Sequence, residues 1–184
     1  MKIEVKVLNK EFYIRKKLGA EYYDTPDYQT AGSAAVDLVC TEDVTIMPGE
    51  TKMIPTGLAI WIGSSQSSQP VAGLVLPRSG LGTKGLILAN TIGLIDSDYQ
   101  GELMVSAWNR NQEDRRIAEF INSGSPSVRR YAEGLKDDGI TLRAGDRFAQ
   151  LMFVPVIKAQ FEVVEEFSAN TRRGGGGFGS TDCD

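Results

Sequence analysis

The sequence contains no histidine. That excludes Ser-His-Asp and Cys-His nucleophilic catalysis, histidine-ligated zinc and any imidazole general base. It has two cysteines, Cys40 and Cys183, too few for a four-thiolate metal site or a disulfide framework. No apolar run approaches the ~18 residues of a membrane-spanning helix. The N-terminus, Met1 to Leu8, alternates charged residues with Ile3, Val5 and Val7, the pattern of a strand and not of a signal peptide. A basic excess is missing as well. Twenty basic residues against 24 acidic ones leave a net charge of −4, which argues against a nucleic-acid or anionic-membrane binder. A cytoplasmic protein is therefore expected, with neither nucleic acid nor membrane as partner. Its chemistry is left to carboxylates, hydroxyls, amides, Arg and Lys, backbone groups and a hard cation.

What is present is a chain of 184 residues, 41% hydrophobic, enough for one domain with a core. Short apolar runs recur: Val36–Val39, Val44–Ile46, Gly57–Ile62, Val71–Leu76, Leu86–Leu88, Ile92–Ile95, Leu103–Trp108, Phe148–Val156 and Phe161–Val164. Turn residues separate them, among them Pro48-Gly49, Pro55-Thr56-Gly57 and Ala144-Gly145-Asp146. This pattern predicts an all-β sandwich, barrel or jelly roll. Helices do not alternate with the runs, so a βαβ architecture is disfavoured. Between about 115 and 138 the spacing turns helical, with Ile117, Phe120 and Ile121, then Val128, Tyr131, Ala132 and Leu135. Asn122 to Pro126 interrupts it, which predicts two short helical pieces inserted between strands. Tyr22 to Thr30 reads as a polar loop. Residues 1–167 form the predicted domain. From 168 to 184 the chain carries Gly174 to Gly177, four consecutive glycines whose ordering is entropically costly, so this tail reads as a flexible arm.

Several segments bear chemistry. Gly80 to Gly85 fits G-x-G-x-x-G, but the β-rich run after it does not supply the long helix a dinucleotide site requires. Within Pro77-Arg-Ser-Gly-Leu-Gly-Thr-Lys-Gly85, a guanidinium, a hydroxyl and close-set glycines suit phosphate oxygens, although a plain β-turn has the same composition. Asp96-Ser-Asp98 between two apolar strands reads as a tight hairpin. Its carboxylate could orient water or merely cap the turn. Asp37, on an apolar strand, is either a satisfied buried acid or a metal-water contact. Arg172-Arg173, the glycine hinge and Phe178 would make a lid for a nucleoside phosphate, or else a tail without function.

Five stretches in order decide between these readings: Ala31-Gly-Ser-Ala-Ala-Val-Asp-Leu38, Pro77-Arg-Ser-Gly-Leu-Gly82, Gly93-Leu-Ile-Asp-Ser-Asp-Tyr-Gln-Gly-Glu102, Arg147-Phe-Ala-Gln-Leu-Met-Phe153 and Arg173-Gly-Gly-Gly-Gly-Phe-Gly-Ser180. Together they resemble the motifs of the trimeric dUTPases, bacterial branch, over nearly the whole chain. The insertion near 115–138, a longer loop near 11–28 and Thr83-Lys84 depart from the pattern. The resemblance implies a β jelly roll assembling as a homotrimer with shared active sites. It implies hydrolysis of dUTP to dUMP and pyrophosphate with Mg2+ on the triphosphate, an activity that keeps uracil out of DNA and supplies dUMP for thymidylate synthesis. By similarity, Arg78, Ser79 and Gly80 contact the triphosphate. Asn90, Leu94 and Ile95 read the base, Tyr99 stacks beneath the sugar, and Met104 closes the substrate segment. Gln150 lies near the phosphates, and Arg173 and Phe178 arrive on the tail. Asp96 activates the water, and Asp37 touches the metal at most through water. A dCTP deaminase shares this fold, but Tyr99 and the Phe178-bearing tail favour dUTPase. A nucleotide-gated interaction protein, using the insertion to hold a partner, is a further alternative.

Overall fold

The apolar runs become strands because each is bounded by residues that cannot continue a ladder. The computed structural model describes residues 1–17, 20–23, 26–63, 69–112 and 139–177. In chain order the first elements are β1 (Glu4–Val7), α1 (Lys10–Tyr13), β2 (Ile14–Lys17), β3 (Ala20–Tyr23), β4 (Val36–Val39) and β5 (Val44–Ile46). The long β6 (Thr51–Trp61), β7 (Val71–Pro77), the five-residue α2 (Ser79–Thr83), β8 (Leu86–Leu88) and β9 (Gly93–Ile95) follow. β10 (Glu102–Asn109), β11 (Ile140–Leu142) and β12 (Arg147–Pro155) complete them.

One antiparallel sheet runs β1-β6-β10-β8 and a second β4-β12-β7-β9, with ribbons β11-β5 and β2-β3 beside them. The protein is all-β, as expected. Ile54, Leu58, Leu103 and Val105 from the first sheet meet Leu38, Val75, Ala149 and Leu151 from the second in one buried cluster. β10 shows the cause of this layering. Leu103, Val105, Ala107 and Asn109 face inward while Met104 and Trp108 face out, the period-two alternation of a half-buried strand. The inward amide of Asn109 is satisfied: its Nδ2 donates to the Ile46 carbonyl at 2.9 Å. Burial also pushes the Cys40 thiol up, and its Sγ donates to the Arg143 carbonyl at 2.8 Å.

Three expectations are corrected. Pro55-Thr56-Gly57, read as a turn, lies inside β6 as a bulge. The register with β10 jumps there, Glu102 facing Ala59 but Met104 facing Pro55. Gly57 absorbs the irregularity at φ +69, and the freed groups find partners. The Gly57 N–H donates to Glu102 Oε1 at 2.8 Å, the Tyr13 hydroxyl to the Thr56 carbonyl at 2.8 Å, and Thr56 Oγ1 to the Leu103 carbonyl at 2.8 Å. Second, Phe161–Val164 forms no strand, and no strand among the described residues pairs with it. Third, part of the loop expected before Thr30 is the β2-β3 ribbon. The helical insertion expected at 115–138 lies outside the described residues.

Gly57→Ala tests the bulge. A Cβ there would sit 2.8 Å from Thr41 Cγ2 and 2.9 Å from Asn9 Cβ, in a left-handed backbone conformation. The expected loss is about 1–3 kcal/mol, read as a lower calorimetric Tm. A Tm equal to wild type would mean that the bulge relaxes freely.

Candidate active site

The motif-bearing connections cross from one sheet to the other. α2 carries the chain from β7 to β8, and residues 96–101 carry it from β9 to β10. Asp96-Ser-Asp98 is therefore not the tip of a paired hairpin, as the two flanking apolar runs suggested. β9 pairs with β7, and β10 with β6 and β8. Alternating apolar residues on both sides of a short loop do not specify which partner each strand takes, and here each takes a different one.

At one end of the second sheet stand the phosphate candidates. Asp37 faces Gln150 across the β4–β12 ladder, and Gln150 faces Leu76 across β12–β7. These three residues form a row that ends beside Arg78. Gln150 Nε2 donates to the Pro77 carbonyl at 2.8 Å, fixing the peptide just before Arg78. Arg78 has extended backbone, φ −84 and ψ 136, and Ser79 and Gly80 open α2 directly after it. The Arg78 Nε lies 2.8 Å from Asp37 Oδ1, and its Nη1 donates to the Arg147 carbonyl at 2.8 Å. Arg147 Nη1 reaches the other oxygen, Asp37 Oδ2, at 3.2 Å. The expected metal-water contact of Asp37 is thus set against an acid whose two oxygens already face guanidinium groups. The sequence marks Arg147 only as the first residue of a motif. The signal that could have found it is Asp37 itself, a carboxylate on an apolar strand that requires a cation.

The base and sugar candidates stand elsewhere. Asn90 is exposed at a tight turn, its carbonyl accepting from the Ile92 N–H at 2.7 Å, with Thr91 at φ +61. Leu94 and Ile95 lie on β9, which ends its sheet, so one side of their backbone has no strand beside it among the described residues. Asp96 is exposed, and its carbonyl accepts from the Tyr99 N–H at 3.2 Å. The Tyr99 hydroxyl donates to the Glu102 carbonyl at 2.9 Å, and its ring occupies the space a Cβ on Gly101 would need. Gly101, marked in the sequence only as part of a motif, is what lets Tyr99 lie in this place. Met104, 40% exposed, points outward from β10.

These two groups do not meet within one chain. Ile95 is opposite Gly73 in the β7–β9 ladder, whereas Arg78 follows five residues farther along, about 16 Å at ~3.3 Å per residue. Asp96 and Arg78 lie toward opposite ends of β7. The tail candidate Arg173 is engaged locally, its Nε donating to the Gly176 carbonyl at 2.9 Å. Phe178 lies outside the described residues.

A family model described as dUTPase matches residues 21–121 and 128–182. The chain belongs to the dUTPase family. It is 46% identical over 184 residues to a deoxyuridine 5'-triphosphate nucleotidohydrolase of Acinetobacter baylyi, with 98% of each chain covered. A solved Staphylococcus bacteriophage 80alpha dUTPase with dUPNHPP superposes with a TM-score of 0.68 at 26% identity, again covering 98% of each. A mutant dUTPase from phage phi11 of S. aureus, whose structure details the coordination of a structural Mg(II) ion, has the same fold. Its TM-score is 0.66 at 23% identity, over 92% of this chain and all of that one.

Proposed function

We propose that this dUTPase builds each active site from more than one copy of itself, as a homotrimer. The reaction is hydrolysis of dUTP to dUMP and pyrophosphate. The observation that carries the shared site is the separation along β7. Arg78, Ser79, Gly80 and Gln150 stand toward one end and Asp96 and Tyr99 toward the other, a separation that two chains bring to one α-phosphorus more readily than one chain does. Two exposed apolar surfaces support assembly. Met53, Met104 and Trp108 are 55%, 40% and 36% exposed, and the unpaired segment after β12 leaves Ile157 87%, Phe161 96%, Val163 99% and Phe167 89% exposed. Covering each such side chain is worth roughly 1.5–3 kcal/mol, so a second copy is a fitting occupant.

At the assembled site Asp96 holds a water in line with the α-phosphorus and takes its proton as the oxygen attacks, without a covalent intermediate. The free backbone side of β9, with Asn90, matches uracil's donor and acceptor edge. Tyr99, held by its hydroxyl on Glu102, lies under the sugar and excludes a 2′-hydroxyl. Among the described residues no three His, Cys, Asp or Glu side chains converge on a metal position. That donor set fits Mg2+ arriving on the triphosphate oxygens with its waters and not a protein cage. When bound, the ion neutralises charge on the pyrophosphate. No helix among the described residues is long and apolar enough to cross a membrane, in keeping with work on a nucleotide pool in the cytoplasm.

The test is complementation. Arg78→Ala and Asp96→Asn chains, each inactive alone, are mixed one to one, unfolded and refolded together. In a cyclic trimer whose sites take Arg78 from one chain and Asp96 from another, about a quarter of wild-type activity should return. No recovery despite mixed trimers on a sizing column would place the whole site in one chain.

A further inference from the structure

We propose that Asp37 and Arg147 are positioning residues that hold the Arg78 guanidinium in its phosphate-facing orientation. This rests on the placement of Arg78 at the triphosphate above. Asp37 lies on β4 with only 15% of its side chain exposed, and each of its oxygens meets a different arginine. Arg78 is held twice, by Nε on Asp37 and by Nη1 on the Arg147 carbonyl. The second hold depends on a bulge in β12. Arg147 faces Val39 and Ala149 faces Leu38, so two steps on β12 match one on β4. A bulge redirects the local backbone, and here the Arg147 carbonyl meets Nη1. The Arg147 side chain closes the group by bridging Asp37 and Gln29 Oε1, at 3.2 and 3.4 Å. Of the five guanidinium N–H donors on Arg78, two are spent on these holds and about three remain for an anion. Gln150, anchoring the Pro77 carbonyl, fixes the same arginine from its main-chain side.

The sign of one substitution separates positioning from simple electrostatics. Two arginines and one aspartate leave a net positive charge. Removing the negative charge with Asp37→Asn should tighten a polyanion if charge alone matters. If Asp37 aims Arg78, the same change weakens binding, because the guanidinium is no longer held. The experiment measures the Kd of a non-hydrolysable dUTP analogue for the full-length wild type, D37N, R78A and the double variant. D37N should weaken binding roughly tenfold, and that loss should vanish in the R78A background, as expected for residues acting as a unit. Arg147→Gln, run through the same cycle, gives a second reading if D37N folds poorly. Tighter binding by D37N, or an equal loss with and without Arg78, overturns the positioning role. Wild-type affinity in R78A alone overturns it too, together with the placement of Arg78 at the phosphates.

Discussion

Asp96→Asn should lower kcat by about 10²–10⁴-fold, the contribution of a positioned general base, and leave the Kd for a non-hydrolysable dUTP analogue nearly unchanged. The amide keeps the size of the carboxylate and the turn closed by the Tyr99 N–H on the Asp96 carbonyl, so the substitution removes basicity with little else. Asp98 supplies the control. It is exposed in the same connection two residues away, and Asp98→Asn should leave kcat close to wild type. Steady-state pyrophosphate release, with ligand affinity by calorimetry, checks both. Turnover by the Asp96 variant within a few-fold of wild type would remove the carboxylate from the chemistry.

Deleting residues 172–184 should cost about 10²-fold or more in kcat/KM while the assembly and its Tm stay intact. The hydrogen bonds that shape residues 171–176 are internal to the segment: Arg173 Nε to the Gly176 carbonyl, and the Gly174 and Gly176 N–H groups to the Thr171 and Arg173 carbonyls. Arg173 uses one donor, Nε, on its own turn and keeps about four for a phosphate. Charge-assisted bonds of about 1.5–3 kcal/mol and a Phe178 stack of ~1–3 kcal/mol set the gain, against ~1–2 kcal/mol of backbone entropy per ordered residue. Over about eight residues of arm that cost totals ~8–16 kcal/mol and exceeds the return from one stack and a single charge-assisted bond. The arm should close only over a nucleotide that keeps its γ-phosphate and with it further charge-assisted bonds. Truncation spares Ile157 to Phe167, the apolar stretch assigned to assembly. Sizing chromatography and calorimetry should therefore match wild type while activity collapses. Full activity in the truncated protein would make the tail a bystander.

The parts of the fold readable from the chain were those fixed by local pattern. Val71 to Leu76 is a continuous apolar run closed by Pro70 and Pro77, and it is β7 almost residue for residue. Leu103 to Trp108 alternates, and it is the half-buried β10. The partners of these strands were not local. The Asp96 corner looked like a hairpin because proximity in sequence favours neighbours, yet the inner faces of β9 and β10 belong to different sheets. Pro55-Thr56-Gly57 looked like a turn because its composition suits one. Donor and acceptor groups distant in sequence, those of Tyr13, Glu102 and Leu103 among them, hold it as a bulge. Among the site residues, Asp37, Arg78 and Gln150 could be picked out singly. That Asp37 and Gln150 stand in one row across β4, β12 and β7, ending beside Arg78, follows from register, which composition does not encode.

The corner from Asp96 to Gly101 is a strap between two ladders whose facing side chains are mainly apolar. Beyond the corner's own covalent path, its Ser97 carbonyl accepts from the Gly63 N–H at 2.9 Å, just past the end of β6. A nucleotide seated against the strap would be held by both layers at once. Separating the layers would then require giving up the ligand, so occupancy would be felt as resistance to delamination of the sandwich and not as stiffening of one loop. In a cell, the supply of substrate would in that way set the lifetime of the folded enzyme as well as its turnover.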